Sequence, residues 1–316
     1  MNSKRLKQLL LLTMLFSLSG WAQTTVPVTL AYPQGEPTAN ELIRQVYYLN
    51  HLYTFHRLPL EQQMAGMNVI VKKEVGKKPR TIVAERHLNA TYNNGRIKSR
   101  ELVYFHYGAS RGTGMLITDH VDEQRSIGYR VGLPPLRKLR AMPTPALEDL
   151  WGGSDFTFAD VRLRRPTDEW HQLLGTVTFD RCIRTLLLSD DETNRWSKQR
   201  PQKSCAHTGK RVYVVKSYPK YKRANYDYRI SYIDTENFGD YLVAFYQGDR
   251  LVKEIEKDWQ SMGTPDPRGV YWNHWYAKNY QTGHQSLVFI LRNGMRYSAD
   301  GDNRFWSDRT MRRFNR

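Results

Sequence analysis

The sequence predicts an α+β protein in which one amphipathic helix precedes a mostly antiparallel sheet. A helical pattern of hydrophobic residues occurs near the N-terminus, and no second run of long helices follows it. From Met67 onward, short runs rich in β-branched and aromatic residues are separated by turn signals. These signals are Asn94-Gly95, Gly248-Asp249 and Thr282-Gly283. The content of 40% hydrophobic and 12% aromatic residues allows a large core and excludes a disordered chain.

The first 22 residues have the features of a secretory signal peptide. Basic residues at positions 4, 5 and 7 precede an apolar run from Leu9 to Leu18, and small residues occupy positions 20 and 22. No longer apolar run is present, so an integral membrane protein is excluded. We expect cleavage after Ala22, and the lack of a cysteine after it excludes a lipid-anchored terminus at that point. Residues 23–36 are then a flexible leader, and residues 37–316 form one domain.

The chain is strongly basic. Its net charge of +17 comes from 48 Lys and Arg residues against 31 Asp and Glu residues, and loss of the three basic signal residues leaves +14. In a cytosolic protein this charge would suggest binding to nucleic acid. Because export is predicted, we expect the basic chain to bind anionic lipid headgroups or acidic envelope polymers, and we expect no binding to nucleic acid.

The predicted helix spans residues 39–57. Thr38 can cap its N-terminus, and Leu42, Val46, Leu49 and Tyr53 recur at helical spacing.

Short β-rich runs make up most of the remaining chain. The candidate strands include 67–73, 81–88, 101–107, 113–118, 126–131, 181–188, 211–217, 242–246, 251–258, 270–278 and 286–291. The clearest alternation places Tyr226, Tyr228, Ile230 and Tyr232 on one side of a strand, which predicts that this side is buried.

Residues 132–172 interrupt the strands and contain five prolines, the turn Trp151-Gly152-Gly153 and two helix-like pieces, Phe156 to Val161 and Thr167 to Leu173. Too many apolar side chains occur here for a solvated linker. We therefore expect this insertion to lie as a lid over an apolar face of the sheet.

The two cysteines predict a disulfide bond. Cys182 and Cys205 are 23 positions apart, and no CxxC motif or nearby histidine gives them the spacing of a zinc site. In an oxidising compartment, closing such a loop stabilises the fold by roughly 3 kcal/mol. Two separate buried thiols are the alternative.

One motif of catalytic type is present. Gly108-Ala109-Ser110-Arg111-Gly112 matches the G-x-S-x-G nucleophile elbow of hydrolases, but a strand is predicted after Ser110 where the elbow requires a helix. The nearby glycines lack the G-K-[ST] sequence of a phosphate-binding loop, and the histidines form no H-E-x-x-H motif. We therefore expect no enzyme activity, metal or cofactor.

Several segments, in order, resemble the LolA-like outer-membrane lipoprotein-sorting proteins. They are Arg111 to Leu116, Leu133 to Arg140, Gly153 to Val161, Ile233 to Phe238, Phe245-Tyr246, Gly248 to Lys253 and Asn279 to His284. The resemblance runs from about Glu36 to the C-terminus. It implies a strongly curved antiparallel sheet, a half-open β-barrel of the LolA and LolB type, covered by the N-terminal helix and a lid of short helices. The stretch 189–207 is an expansion relative to this family.

The resemblance implies a periplasmic carrier that holds acyl chains of a lipid or lipoprotein and transfers them toward the outer membrane. It also implies a link with inner-membrane permeases of the resistance-nodulation-division type and an outer-membrane acceptor. We expect a monomer. The expected cavity and lid residues are Met67, Val69, Val71, Met115, Leu133, Leu136, Trp151, Phe156 and Phe158. Sheet parity leaves open whether Met67, Val69 and Val71 or the opposite face lines the cavity.

Four cations are the expected contacts for a headgroup or a partner. They are Arg111, Arg137, Lys138 and Arg140. The last three lie on a segment that also carries leucines, and each contributes about 1 kcal/mol near an anionic surface. A solvated rim is the alternative for this segment.

Three other functions remain as alternatives. They are an envelope hydrolase that uses Ser110, a surface-binding module for anionic polymers, and a structural partner of a transport complex.

Overall fold

The computed structural model describes residues 30–51, 63–89, 95–122, 124–133, 138–162, 164–221, 223–298 and 303–314. The predicted signal peptide and the first half of the leader lie outside these residues. The first element is α1 (Ala39–Asn50). A capping box begins it, because the Thr38 hydroxyl accepts a hydrogen bond from the Glu41 amide at 3.3 Å and the Glu41 carboxylate accepts one from the Thr38 amide at 2.8 Å. The predicted helix is therefore confirmed from Ala39 to Asn50. Residues 52–57, the last part of the predicted helix, lie outside the described residues.

The described residues contain one sheet of 13 antiparallel strands. The strands are β1 (Gln63–Lys73), β2 (Arg80–Asn89), β3 (Ile97–Tyr107), β4 (Gly114–His120), β5 (Gly128–Leu133), β6 (Lys138–Met142), β7 (Glu169–Thr178), β8 (Arg211–Pro219), β9 (Tyr228–Asp234), β10 (Asp240–Gln247), β11 (Arg250–Ser261), β12 (Val270–Asn279) and β13 (Gln285–Ser298). Consecutive strands pair within β1–β6 and within β7–β13, and β1 pairs with β13 to join the two runs. The edges β6 and β7 do not pair, so the curved sheet is unclosed. The predicted half-open antiparallel barrel is confirmed.

The topology explains why a lid exists. The chain leaves the sheet at β6, one edge, and returns at β7, the opposite edge. Residues 143–168, called the lid below, therefore cross from edge to edge, and they contain α2 (Phe158–Arg162). The lid is narrower than the predicted insertion 132–172, because β6 and the start of β7 lie within that range. The prediction of a helix-like piece up to Leu173 was wrong, since the chain from Glu169 onward is strand.

Helix α1 covers the inner face of the sheet over its second run of strands. Leu42, Ile43 and Val46 pack against Val215, Ile233 and Phe238. These apolar positions recur every three or four residues, so one side of the helix is buried as the sequence pattern predicts.

Residues 179–210, which connect β7 to β8 and are called the strap below, cover the outer face of the central strands. Leu186, Leu188 and Trp196 of the strap pack on the outer face of β1. Cys182 and Cys205 form a disulfide bond with an S–S distance of 2.00 Å, so the predicted bond is confirmed. The prediction of a strand at 181–188 was wrong, since that part of the strap contains only the isolated bridge between Ile183 and Ser204.

The alternation predicted around Tyr228 is present in β9, but its more buried side is the opposite one. Ser231 and Ile233 are almost fully buried, whereas Tyr228 and Tyr232 are only partly buried. The reason is that Arg229 points to the interior and pairs with the buried carboxylate of Glu169 at 2.5 Å.

The longest helix in the described part of the chain has 12 residues, fewer than the about 20 that a bilayer crossing requires.

Candidate functional site

A largely apolar cavity lies between the inner face of β1–β5, the lid and the C-terminal end of α1. Its volume is about 1660 Å³, including the space that is open to solvent. The inner face of β9–β11 is filled by α1, and the space left there is about 460 Å³ counted in the same way. The larger open space on the inner face therefore lies over the first run of strands.

Alternate side chains of three neighbouring strands form the apolar wall. Ala84 of β2, Val103 and Phe105 of β3, and Met115 and Ile117 of β4 line the cavity. The strand register places Ala84 opposite Phe105 and Val103 opposite Met115. These pairs give a continuous apolar strip that crosses the sheet.

The lid supplies the opposite wall through Trp151, Phe156 and Phe158. The ring of Phe156 lies 5.9 Å from that of Trp275 in β12, and the ring of Phe158 meets Tyr129 of β5 edge-on at 6.2 Å. Aromatic pairs at these distances attract each other beyond their buried area. The lid therefore packs on both sides of the cavity and closes over it.

A turn at Gly153 holds the first part of the lid to the sheet. Gly153 has a positive φ of 67°, and its carbonyl accepts a hydrogen bond from the Lys72 ammonium at 2.9 Å. The next contact is reciprocal: the Ser286 hydroxyl donates to the Asp155 carboxylate at 2.6 Å and accepts from the Asp155 amide at 2.9 Å. Burial raises the pKa of Asp155, although the bond from Ser286 opposes this shift.

Buried ion pairs hold the second part of the lid. The Asp160 carboxylate in α2 accepts hydrogen bonds from the Lys253 ammonium of β11 at 2.6 Å and from the Arg164 guanidinium at 3.2 Å. Burial acts to raise the pKa of Asp160, but Lys253 and Arg164 outweigh burial and hold that pKa well below its usual range. The carboxylate is therefore ionised at neutral pH, and it fixes α2 to the filled half of the sheet.

The cavity wall also contains charged side chains that the sequence reasoning missed. Arg86 and Glu101 form a two-point ion pair, with distances of 2.5 and 2.9 Å. Lys98, Asp119 and Arg162 line the cavity near α1. The sequence did contain a signal for these two residues. Arg86 lies two positions after Ala84 and Glu101 two positions before Val103, so on the predicted strands each charged residue shares a face with its apolar neighbour.

The structure brings four of the predicted site residues together. Met115, Trp151, Phe156 and Phe158 all line the cavity. Whether they contact a ligand stays a prediction.

Val69 and Val71 are placed elsewhere, which corrects their assignment to the cavity wall. Both are fully buried on the outer face beneath the strap, and Met67 packs with them. The inner residue of β1 at the cavity is Asn68. The assignment fails because strand parity gives two faces and the strap makes the outer one equally apolar.

The other predicted residues are not part of the described cavity wall. Arg111 and Arg140 are exposed, on the turn after β3 and in β6. For Leu133 in β5 and Lys138 in β6, the structure describes the backbone but not the side chain. Leu136 and Arg137 lie outside the described residues.

The G-x-S-x-G segment forms the connection between β3 and β4. The amide of Gly112 donates to the Phe105 carbonyl at 2.8 Å, and β4 begins at Gly114 without an intervening helix. A nucleophile elbow requires a strand followed by a helix, so this geometry does not present Ser110 in that way. Among the described residues, no group of three or more metal-ligating side chains is found.

Solved structures with the same architecture are known. A DUF1329 family protein from Desulfovibrio piger superposes with a TM-score of 0.59 at 15% identity, over 85% of this chain and 98% of the other. An outer membrane lipoprotein-sorting protein domain from Vibrio parahaemolyticus superposes with a TM-score of 0.59 at 13% identity, over 85% of this chain and 98% of the other. A LolA superfamily protein from Nitrosomonas europaea superposes with a TM-score of 0.52 at 14% identity, over 87% of this chain and 100% of the other.

The chain has the LolA-like fold. The predicted resemblance is thus confirmed at the level of the fold, since identities this low carry no more than that. No protein-family model matches the sequence. No curated protein matches it either.

Proposed function

We propose that this protein is a non-enzymatic carrier that shelters acyl chains of a lipid or lipoprotein in the cavity between β1–β5 and the lid. The observation that carries the proposal is the apolar strip of Ala84, Val103 and Met115 facing Phe156 and Phe158 across an open space. One structure of the same fold is named as an outer membrane lipoprotein-sorting protein domain, which supports the choice of an acylated ligand.

The energetics require such a cavity. An acyl chain of about 16 carbons is held in a bilayer by roughly 13 kcal/mol, at about 0.8 kcal/mol per buried methylene. A carrier in water must offer comparable apolar contact, or the chain returns to the membrane. An aromatic lid over an apolar sheet supplies this contact without any covalent chemistry.

The cellular setting belongs to the same proposal. The predicted signal peptide and the disulfide bond between Cys182 and Cys205 support export to an oxidising compartment, the periplasm. Loading by a permease of the resistance-nodulation-division type, delivery to an outer-membrane acceptor and a monomeric state are further parts of it.

Filling the cavity tests the proposal. Ala84→Trp adds a large side chain to the cavity wall, whereas Ala109→Trp adds the same side chain on an exposed turn between β3 and β4. The measurement is the binding of a fluorescent fatty-acyl probe, with circular dichroism to verify that each variant is folded. We expect wild type and Ala109→Trp to bind alike and Ala84→Trp to bind at least about tenfold more weakly.

Two results would contradict the proposal, the first by removing the carrier function and the second by removing this cavity as its site. One is the absence of probe binding to wild type, combined with no lipid in organic extracts of the native protein analysed by mass spectrometry. The other is equal binding by a folded Ala84→Trp variant, because the acyl chain would then lie elsewhere.

A further inference from the structure

The cavity changes character along the direction of its strands. Phe105, Val103 and Met115 line one end of the β3–β4 wall, while Ser99 and Asp119, which are paired in the sheet, line the other. Phe105 and Ser99 are six residues apart, which at about 3.3 Å per residue corresponds to about 20 Å. The wall is therefore apolar at one end and polar at the other.

The lid repeats this order. Trp151 and Phe156 form its apolar part, and Arg162 and Arg165 line the cavity further along the chain. Burial raises the pKa of Tyr129 in the sheet wall, and the charge of Arg162 opposes this shift. The basic part of the lid therefore lies near the sheet wall at Tyr129.

Helix α1 ends at the same place. The ring of its C-cap residue His51 lies 4.0 Å from the ring of Tyr47, tilted by 33°, and the Lys98 ammonium lies 5.5 Å from the centre of the Tyr47 ring. Burial, with the charges of Lys98 and Arg162, lowers the pKa of His51 to about 4 despite the opposing effect of Asp119. The ring is therefore neutral at pH 7, and its surroundings disfavour an additional positive charge.

The polar end, defined as Lys98, Ser99, Asp119, Arg162 and Arg165, carries three cations and one carboxylate among the described residues. The neighbouring Arg86 and Glu101 neutralise each other. A site with excess positive charge inside a cavity of low polarity attracts an anion more strongly than a solvated surface does.

We propose that the polar end receives the acidic group, carboxylate or phosphate, of an anionic amphiphile whose hydrocarbon chain lies along Val103, Met115 and Phe156. An arginine at this end can bind either acid with two parallel hydrogen bonds. This inference rests on the carrier function proposed above and names the class of its cargo. It also moves the headgroup inside the cavity, away from the exposed Arg111 and Arg140.

Amphiphiles that share one hydrocarbon chain and differ only in the headgroup test this inference. The neutral dye 1-N-phenylnaphthylamine is bound to the full chain without its predicted signal peptide, and dodecanoate, dodecyl phosphate, 1-dodecanol or inorganic phosphate is added. We expect both anionic amphiphiles to displace the dye at concentrations about tenfold lower than the alcohol, and inorganic phosphate to leave it bound. Equal displacement by acid and alcohol, or displacement by inorganic phosphate alone, would overturn the inference while leaving the carrier function intact. Failure of the dye and of every amphiphile to bind would instead overturn the carrier function, and this inference with it.

Variants then locate the acidic group. Arg162→Gln should reduce the preference for dodecanoate over 1-dodecanol about tenfold without weakening the alcohol, Arg162→Lys should keep most of it, and Lys98→Gln should lower it independently. Arg111→Gln and Arg140→Gln are matched controls on the exterior and should leave the preference unchanged. An unchanged preference in folded Arg162→Gln and Lys98→Gln, or a loss in either control, shows that the headgroup lies outside the cavity and overturns the inference.

Discussion

Asp160→Asn should destabilise the protein by about 3–5 kcal/mol, because it removes one partner from a buried group of charges. The Asp160 side chain is 2% exposed and that of Lys253 is 10% exposed, so water cannot replace the lost carboxylate. Asparagine is nearly the same size and can still accept the hydrogen bond that the Thr157 amide donates at 2.8 Å. The expected loss of stability therefore reports the missing negative charge beside Lys253 and Arg164. It does not report a lost hydrogen bond from the Thr157 amide or a change in side-chain volume.

Urea unfolding at pH 7, followed by tryptophan fluorescence, gives this difference. The matched control is Asp149→Asn, an exposed lid carboxylate that accepts a hydrogen bond from the Ala146 amide at 2.9 Å and should cost less than about 1 kcal/mol. Adding Lys253→Met to Asp160→Asn should recover part of the loss, because it removes the ammonium left without its carboxylate. If Asp160→Asn costs no more than the control, the ion pairs do not hold the lid and the reasoning is refuted.

The same pair predicts a pH dependence. Because the pKa of Asp160 is depressed in the folded protein, its stabilisation is complete above the unfolded pKa of about 3.9 and is lost as pH falls toward the folded value. The stability difference between wild type and Asp160→Asn should thus narrow in acid. A difference that is constant from pH 7 to pH 3 would contradict this linkage.

Three further measurements test other parts of the fold. Replacing both Cys182 and Cys205 by Ala should lower stability by roughly 3 kcal/mol in urea while leaving probe binding unchanged, because the strap lies on the outer face; a binding defect in the folded variant would contradict this placement. Despite burial, Arg229 lowers the pKa of Glu169 to about 2, so wild type should lose stability as pH falls from about 4.3 to about 2, and Glu169→Gln should show a flatter profile across that window. Gly153→Ala should lower the free energy of unfolding in urea by about 1–2 kcal/mol, because φ is positive and a Cβ would lie 2.7 Å from the Lys72 ammonium nitrogen. Gly248→Ala is the control, since Gly248 also has a positive φ but a Cβ there would meet open space. The difference between the two variants separates the backbone effect from the steric clash.

Local signals predicted the elements that depend on local chemistry. Thr38 and Glu41 form the capping box of α1, and Gly248 lies in the turn between β10 and β11. The backbone preferences of these residues act within a few positions of the chain, so a sequence pattern contains them. The edge strand β7 was missed because it follows Pro166 and contains Gly175 at a bulge, both of which favour non-strand assignments.

The interior faces were harder to predict because this sheet is covered on both sides. Val69 and Asn68 are both buried, one under the strap and the other at the cavity, so hydrophobicity does not separate the faces. In β11, Lys253 and Lys257 are buried toward the inner face and Glu254 and Glu256 toward the outer one. A pattern of hydrophobic and polar residues predicts that such charged residues face solvent. Their burial depends on oppositely charged partners in other segments, which the local sequence does not reveal.

The position of the cavity follows from the sizes of the elements that cover the inner face. Thirteen strands at about 4.8 Å spacing make a sheet about 58 Å wide along its curve. The 12-residue α1 is about 18 Å long, and α2 has only five residues, so the two helices together cannot cover that width. Protein interiors are otherwise packed to the density of organic crystals, and an unfilled apolar space forgoes dispersion contacts. The lid is nevertheless held over β1–β5, since Asp160 bonds to Lys253 of β11 and Asp155 bonds to Ser286 of β13, two strands outside that part of the sheet. An acyl chain entering there would restore the missing contacts without displacing those anchors, so loading need not unfold the lid.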